Sequence, residues 1–281
     1  LDAFLIILVI LGMSTQGLTR KSFSLKHNAP FLFSFLSVGI AMIFFIISAG
    51  KNFIFSWDYI PYAIIFALGY GSATVFGFFA IMYGSLGLTS LVTSYSLIIP
   101  TIYGILFLGE KPSFMLYIGL VLLFASIFLI NFVKGEKKPT VKWLIFVTLA
   151  LVGNGVCTTA QKVQQMNQNK AFKNEFMAVS LFLVTVVCLI FAIIYHKKDF
   201  KPVLTKPVII LPIICGGANA LVNYLVMVLS RLPASLLFPV ISAGGIILTG
   251  IISLTIYKER FTKQQILGML LGITSVVCLN L

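Results

Sequence analysis

Seven carboxylates are all that this sequence offers for acid–base chemistry, and none falls inside an apolar run. Asp2, Asp58, Glu110, Glu136, Glu175, Asp199 and Glu259 lie at run ends or in connectors, as do His27 and His196. Hydrolysis or group transfer needs a placed base, a nucleophile with a partner, or a metal. No HExxH, paired-carboxylate or Ser/His/Asp set can be assembled within the apolar segments. Cys157, Cys188, Cys215 and Cys278 are scattered one to a run with no CxxC pair, so neither a disulfide framework nor a zinc site is indicated. The expectation is no catalytic residue, no metal and no cofactor: not an enzyme.

What the runs do contain is uncharged and polar. Ser14-Thr15-Gln16, Tyr95, Asn154, Gln161, Asn219 and Asn223 all sit within long apolar stretches. An amide facing lipid is costly, so such side chains belong on the bundle interior or a wet cavity. Asn219 and Asn223 are four apart and share one helix face. The alternative is plain interhelical hydrogen bonding. Two lysines, Lys21 and Lys162, stand at the ends of runs. Burial could lower their pKa enough for proton coupling, or they could snorkel to the membrane surface.

The elements that position these residues are membrane spans. Of 281 residues, 59% are apolar and only 10% charged, with a mean hydropathy of +1.08. A soluble domain carries roughly 25% charged residues, whereas a bilayer span needs about 20 mostly apolar ones. Spans are expected at Leu1–Thr19, Pro30–Ala49, Tyr59–Met82, Leu86–Leu108 and Met115–Val133. A second set is expected at Trp143–Lys162, Phe176–Tyr195, Val208–Leu229, Ala234–Tyr257 and Gln264–Leu281. With no basic segment before Leu1–Met13 and no small-residue cleavage site after it, that run reads as a first span rather than a signal peptide. Pro100 and Pro239, inside spans four and nine, favour kinks.

The net charge of +13 does not imply nucleic acid, because the Lys and Arg residues flank apolar spans. There they meet anionic lipid headgroups.

A charged stretch, Lys134-Gly135-Glu136-Lys137-Lys138-Pro139, marks a joint near the middle. Sliding the chain by 149 positions lays Glu110-Lys111-Pro112-Ser113 on Glu259-Arg260-Phe261-Thr262. The same shift lays Gly119 on Gly268, Leu122 on Leu271, Ser126 on Ser275 and Asn131 on Asn280. At a shift of 141, Gly12 and Lys21 meet Gly153 and Lys162. This reads as an internal duplication: residues 1–133, a hinge at 134–142, and residues 143–281. Five is odd, so the halves must lie inverted, a common arrangement in secondary transporters. The expected fold is an all-α integral membrane protein of ten transmembrane helices forming two inverted five-helix repeats.

The element Leu108-Gly109-Glu110-Lys111-Pro112-Ser113 with Gly119 resembles the EamA domain of the drug/metabolite transporter superfamily, ten-helix type. Its second copy is Tyr257-Lys258-Glu259-Arg260-Phe261-Thr262 with Gly268. The resemblance covers essentially the whole chain and implies a secondary transporter, an exporter, exchanger or facilitator. Its cargo would be a small polar metabolite such as an amino acid, or drug-like compounds, crossing by alternating access. It also implies a central cavity among spans one, three, four, six, eight and nine. In this sequence Gln16, Tyr95, Asn154, Asn219, Asn223 and Ser242 are the candidate lining residues, and their neutral character suits a small polar or zwitterionic solute. No Arg falls at an expected midplane, which argues against phosphate cargo. The partners expected are a small-molecule substrate and membrane lipid, with no nucleic acid. The location expected is the plasma (inner) membrane.

Most Lys and Arg follow odd-numbered spans, which puts both termini outside by the positive-inside rule. The resemblance implies both inside, and the two orientations stay open. A lipid-modifying membrane enzyme and a non-transporting scaffold or sensor are the rival readings.

Overall fold

The computed structural model describes residues 2–50, 53–107, 113–131, 140–167, 172–205, 207–229 and 234–278. Residues 134–139 of the hinge, the turn Glu110-Lys111-Pro112 and Asn280 lie outside the described residues, and the hinge's last residues already belong to the helix that starts at Val141. Twelve α-helices are described: α1 Asp2–Ser24, α2 Pro30–Ala49, α3 Ile60–Tyr83, α4 Leu86–Ser94, α5 Ile98–Phe107 and α6 Phe114–Asn131. They are followed by α7 Val141–Asn167, α8 Lys173–His196, the short α9 Phe200–Thr205, α10 Ile210–Leu229, α11 Ala234–Thr255 and α12 Lys263–Cys278. No strand is found among the described residues.

Among the described residues, seven helical stretches are long and apolar enough to cross a membrane, and Phe114–Ser126 and Ile241–Thr255 are shorter apolar helices. With no water in lipid to satisfy backbone groups, such segments are stable only as helices. Their outward faces are apolar: Phe4, Leu68, Phe124, Phe182 and Ile194 are all exposed. The protein is an integral multi-pass membrane protein.

Local sequence sets the helix ends. Pro30 occupies the first turn of α2, where a missing N–H costs nothing. Ser85 caps α4, its Oγ accepting from the Leu88 N–H at 3.1 Å. The expected fourth span is two helices, with a 3₁₀ turn at Tyr95–Leu97 between α4 and α5. Pro100 has no N–H to give the Ser96 carbonyl. Just upstream, the Thr93 and Ser94 hydroxyls bond back to Thr89 and Ser90 carbonyls, which also loosens a helix. The first helix continues past Thr19 to Ser24, so Arg20 and Lys21 are helical rather than part of a connector.

The principal contacts run between halves rather than within them, and they come in matched pairs. Helix α3 packs on α7 as α10 packs on α1, and α2 meets α10 as α8 meets α3. Three pairings are their own counterparts: α2 with α8, α4 with α11, and α6 with α12. The last is reciprocal at atomic level. Ser126 Oγ donates to the Gly268 carbonyl at 2.6 Å, and Ser275 Oγ donates to the Gly119 carbonyl at 2.8 Å. These four residues form two of the pairs that the 149-position shift matches. The two bonds therefore lie around a local two-fold axis, with α6 and α12 antiparallel.

The matched seams are not equally tight. A β-carbon on Gly153 would stand 2.6 Å from a backbone atom, the Gly69 carbonyl oxygen, whereas one on Gly12 would meet a side chain, Val222 Cγ2, at 2.6 Å and the Ala218 carbonyl oxygen only at 3.6 Å. The α3–α7 crossing is thus backbone on backbone, which only small residues permit.

Candidate substrate pathway

Asn219 and Asn223 lie mid-way along α10 on one face. The Asn223 amide donates to the Asn219 side-chain oxygen at 2.7 Å and to its backbone carbonyl at 2.9 Å. Asn219 is buried and hydrogen-bonds the Tyr70 hydroxyl from the middle of α3. Tyr70 stacks on Phe66, with ring centroids 5.4 Å apart. The Arg20 guanidinium reaches the same neighbourhood from α1. It lies within electrostatic range of Tyr70, and its Nη1 is 3.9 Å from where a β-carbon on Gly77 would stand. Its Nε is buried without a hydrogen-bond partner. A polar cluster therefore bridges α1, α3 and α10, with side chains from both halves. Gln16, half-buried, is four residues before Arg20 and on its face of α1.

The other candidates make their hydrogen bonds elsewhere. Asn154 of α7 donates to Ser96 Oγ at 2.6 Å, tying α7 to the 3₁₀ turn. Tyr95 is buried, its hydroxyl 2.5 Å from Ser126 Oγ. Because the Ser126 proton goes to Gly268, Tyr95 is the donor, and it belongs to the α6–α12 seam. Ser242 is buried on α11 near Gly244, whose missing β-carbon leaves room for Ile10 of α1. The structure thus brings Asn219 and Asn223 together with Tyr70 and Arg20, and holds Asn154 and Tyr95 on the flank formed by α4, α6, α7 and α12.

A second polar assembly closes one end of the bundle. Lys21 Nζ lies 3.1 Å from Glu259 Oε1 and donates to the carbonyls of Ile81 at 3.2 Å and Gly84 at 3.0 Å. The two charged side chains are only 13% and 14% exposed, so water screens the pair little. Glu259 also accepts the Leu86 N–H at 3.0 and 3.1 Å and the Ser253 hydroxyl. A carboxylate on the N-terminus of α4 meets the positive end of the helix dipole. The motif glutamate therefore caps a helix of the other half rather than its own turn.

Tyr257 adds to the same end, donating to the Leu18 carbonyl at 2.8 Å while lying 2.8 Å from Ser22 Oγ. Burial pushes its pKa above the usual tyrosine value, keeping the hydroxyl a donor. Beside it, Tyr83, Ser85, Trp143, Glu259, Phe261 and Gln265 border a cleft of about 160 Å³.

Lys162, half-buried near the end of α7, marks the opposite end. Helices α3 and α7 run antiparallel, with Gly84 against Trp143 and Gly69 against Cys157, so the two lysines stand at opposite mouths. Among the described residues, no group of His, Cys, Asp and Glu could hold a metal ion.

A family model described as "EamA-like transporter family" matches residues 2–132 and again 141–281. The chain belongs to the EamA-like transporter family. It is a two-repeat member, and each match covers one of the halves that trade contacts across the bundle. No curated protein matches it. A solved structure titled "Crystal structure of protein" superposes with a TM-score of 0.70 at 12% identity. That match covers 99% of this chain and 95% of the other, and at this identity it shows a shared fold alone.

Arg20 was not anticipated from the sequence, and Tyr70, although a polar residue inside span three, was not among the candidate lining residues. The signal for Tyr70 was present, a tyrosine inside a span among Gly69, Gly71, Ser72 and Thr74. For Arg20 it was hidden by placing the helix end at Thr19.

Proposed function

We propose that this EamA-family protein is a ten-span secondary carrier for a small polar solute. Its inverted halves alternately expose the Arg20–Tyr70–Asn219–Asn223 cluster to the two sides of the plasma membrane. The observation that carries the reading is the cluster's position. Its Tyr70, Asn219 and Asn223 members sit mid-helix at the junction of the two halves, with Arg20 approaching from the Lys21 mouth, where relative motion would change access to them. The Lys21–Glu259 assembly supports the same reading, because it joins the halves at one mouth and lies off the axis. The absence of a carboxylate in the expected span interiors favours exchange or facilitated movement over proton antiport through an acid.

The test is substrate counterflow into liposomes holding the purified protein, using pools of labelled amino acids, nucleosides and cationic drugs. Uptake of one pool with no imposed pH gradient is expected. Replacing Asn219 and Asn223 together by Ala should cut that uptake by about tenfold, equivalent to roughly 1.4 kcal/mol of lost interaction. Thermal unfolding should be nearly unchanged. Transport equal to wild type would remove both residues from the pathway. Silence from every pool, with lipid turnover or with dry, thiol-inaccessible surroundings at Asn219, would favour the enzyme or scaffold instead.

A further inference from the structure

We infer that Arg20 is the fixed counter-charge for a carboxylate carried by the transported solute. The inference rests on the carrier reading above and adds the charge class of the cargo.

The argument begins with what Arg20 lacks. A guanidinium inside a membrane bundle is costly unless it is paired or lines a wet cavity. The described carboxylates are Asp2, Asp58, Glu175, Asp199 and Glu259, and among the described residues none pairs with Arg20. Glu259, at the nearest mouth, is taken by Lys21. The Nε is buried with no partner although the residue as a whole is half-buried, and a buried donor left unsatisfied is unfavourable. Arg20 is half-buried rather than fully exposed. It is directed across the α1–α3 contact, where Gly77 has no side chain to block it and Tyr70 lies on the same face of α3, two turns deeper.

The polar groups on the interior side of Arg20 are neutral: Tyr70 lies within its electrostatic range and links to Asn219 and, through it, Asn223. The Tyr70 hydroxyl and the Asn219 and Asn223 amides can orient a small solute but cannot neutralise a cation. An incoming carboxylate would do both, meeting the guanidinium fork in the bidentate geometry that planar group favours. The charge count selects carboxylate over phosphate. One guanidinium balances one negative charge, and the neighbouring lysine is already committed to Glu259 and two carbonyls. A phosphate dianion would keep about one charge uncompensated in a low-dielectric interior.

The test separates binding from transport. Thermal unfolding of the full chain in detergent would be followed with millimolar glutamine, benzoate and acetate, with benzamide and acetamide as uncharged matches, and with inorganic phosphate. At least one carboxylate should stabilise the wild type while its amide does not. Arg20→Gln should bind that carboxylate about thirtyfold more weakly, since a charge-assisted contact is lost. The same variant should unfold close to wild type without ligand, because Arg20 is only half-buried and its buried Nε has no partner to lose. Arg20→Lys should recover only part of the binding.

Stabilisation by phosphate but by no carboxylate would overturn the assignment, as would equal carboxylate binding by Arg20→Gln. Counterflow of a neutral or cationic solute, undiminished in Arg20→Gln, would also overturn it while leaving the carrier reading intact. Carboxylate binding lost in Arg20→Gln, with no counterflow of any solute, would uphold Arg20 as the binding group and sink the carrier reading.

Discussion

Gly153→Ala is expected to be among the most damaging single-methyl additions to this chain, lowering stability by about 3 kcal/mol. The new β-carbon would stand 2.6 Å from the Gly69 carbonyl oxygen, 2.7 Å from Ser72 Cβ and 2.8 Å from the Ala73 nitrogen. Two of those atoms are backbone, so no rotamer change relieves the clash. The α3 and α7 axes would have to separate, and the buried layer built on Phe66, Cys157 and Phe176 would open with them. Close interiors leave few voids to absorb such a shift. Gly217→Ala is the matched control, because nothing lies within 4 Å of its added carbon. It should be neutral or gain roughly 0.5–1 kcal/mol from the lower backbone freedom of Ala. Thermal unfolding of both variants in one detergent checks the pair. A Gly153→Ala midpoint equal to wild type would mean that the seam is looser than described.

The Lys21–Glu259 pair should behave as a single unit. Glu259→Gln leaves a mostly buried ammonium without its counter-ion and weakens the cap on α4. Lys21→Met leaves the carboxylate facing only N–H and hydroxyl donors. Each change is expected to cost about 3 kcal/mol, near the range for breaking a buried pair from one side. The double variant should cost much less than the sum, with a coupling of at least roughly 1 kcal/mol. Additive losses would show that the two groups act separately. Their contributions should hold in high salt, because Debye screening acts weakly on groups so little exposed.

How far the residues announced this architecture depends on the kind of information each carries. Apolar runs are local, so α2 coincides with its expected span, Pro30–Ala49. The repeat was legible because Gly119, Ser126, Gly268 and Ser275 do one job twice: small residues at a close crossing, with a hydroxyl answering a carbonyl. Seven stretches meet the length and hydropathy of a span. The remaining three expected spans correspond to helices described only as shorter apolar segments or as the 16-residue α12.

The grouping of polar side chains was less accessible. Tyr95 and Asn154 read as lining residues from their polarity alone. Whether they face α10 or the α6–α12 seam depends on the 3₁₀ turn that re-aims span four. Arg20 posed the reverse problem. An arginine at the end of an apolar run ordinarily snorkels outward. Its inward path follows from Gly77, on another helix, leaving space for it.

The unequal crossings at Gly153 and Gly12 have a consequence for motion. Two repeats of like design have taken different shapes in one molecule, so each half is a template for the other. Trading the two shapes would tighten α1 against α10 and slacken α3 against α7, and the mouth that is shut would exchange with its opposite. The paired bonds of Ser126 and Ser275 are their own image under that trade, so they need not break. On the proposed carrier reading, α6 and α12 form an axle. The energy difference between the two states would then come only from residues that differ between the repeats, Arg20 foremost among them.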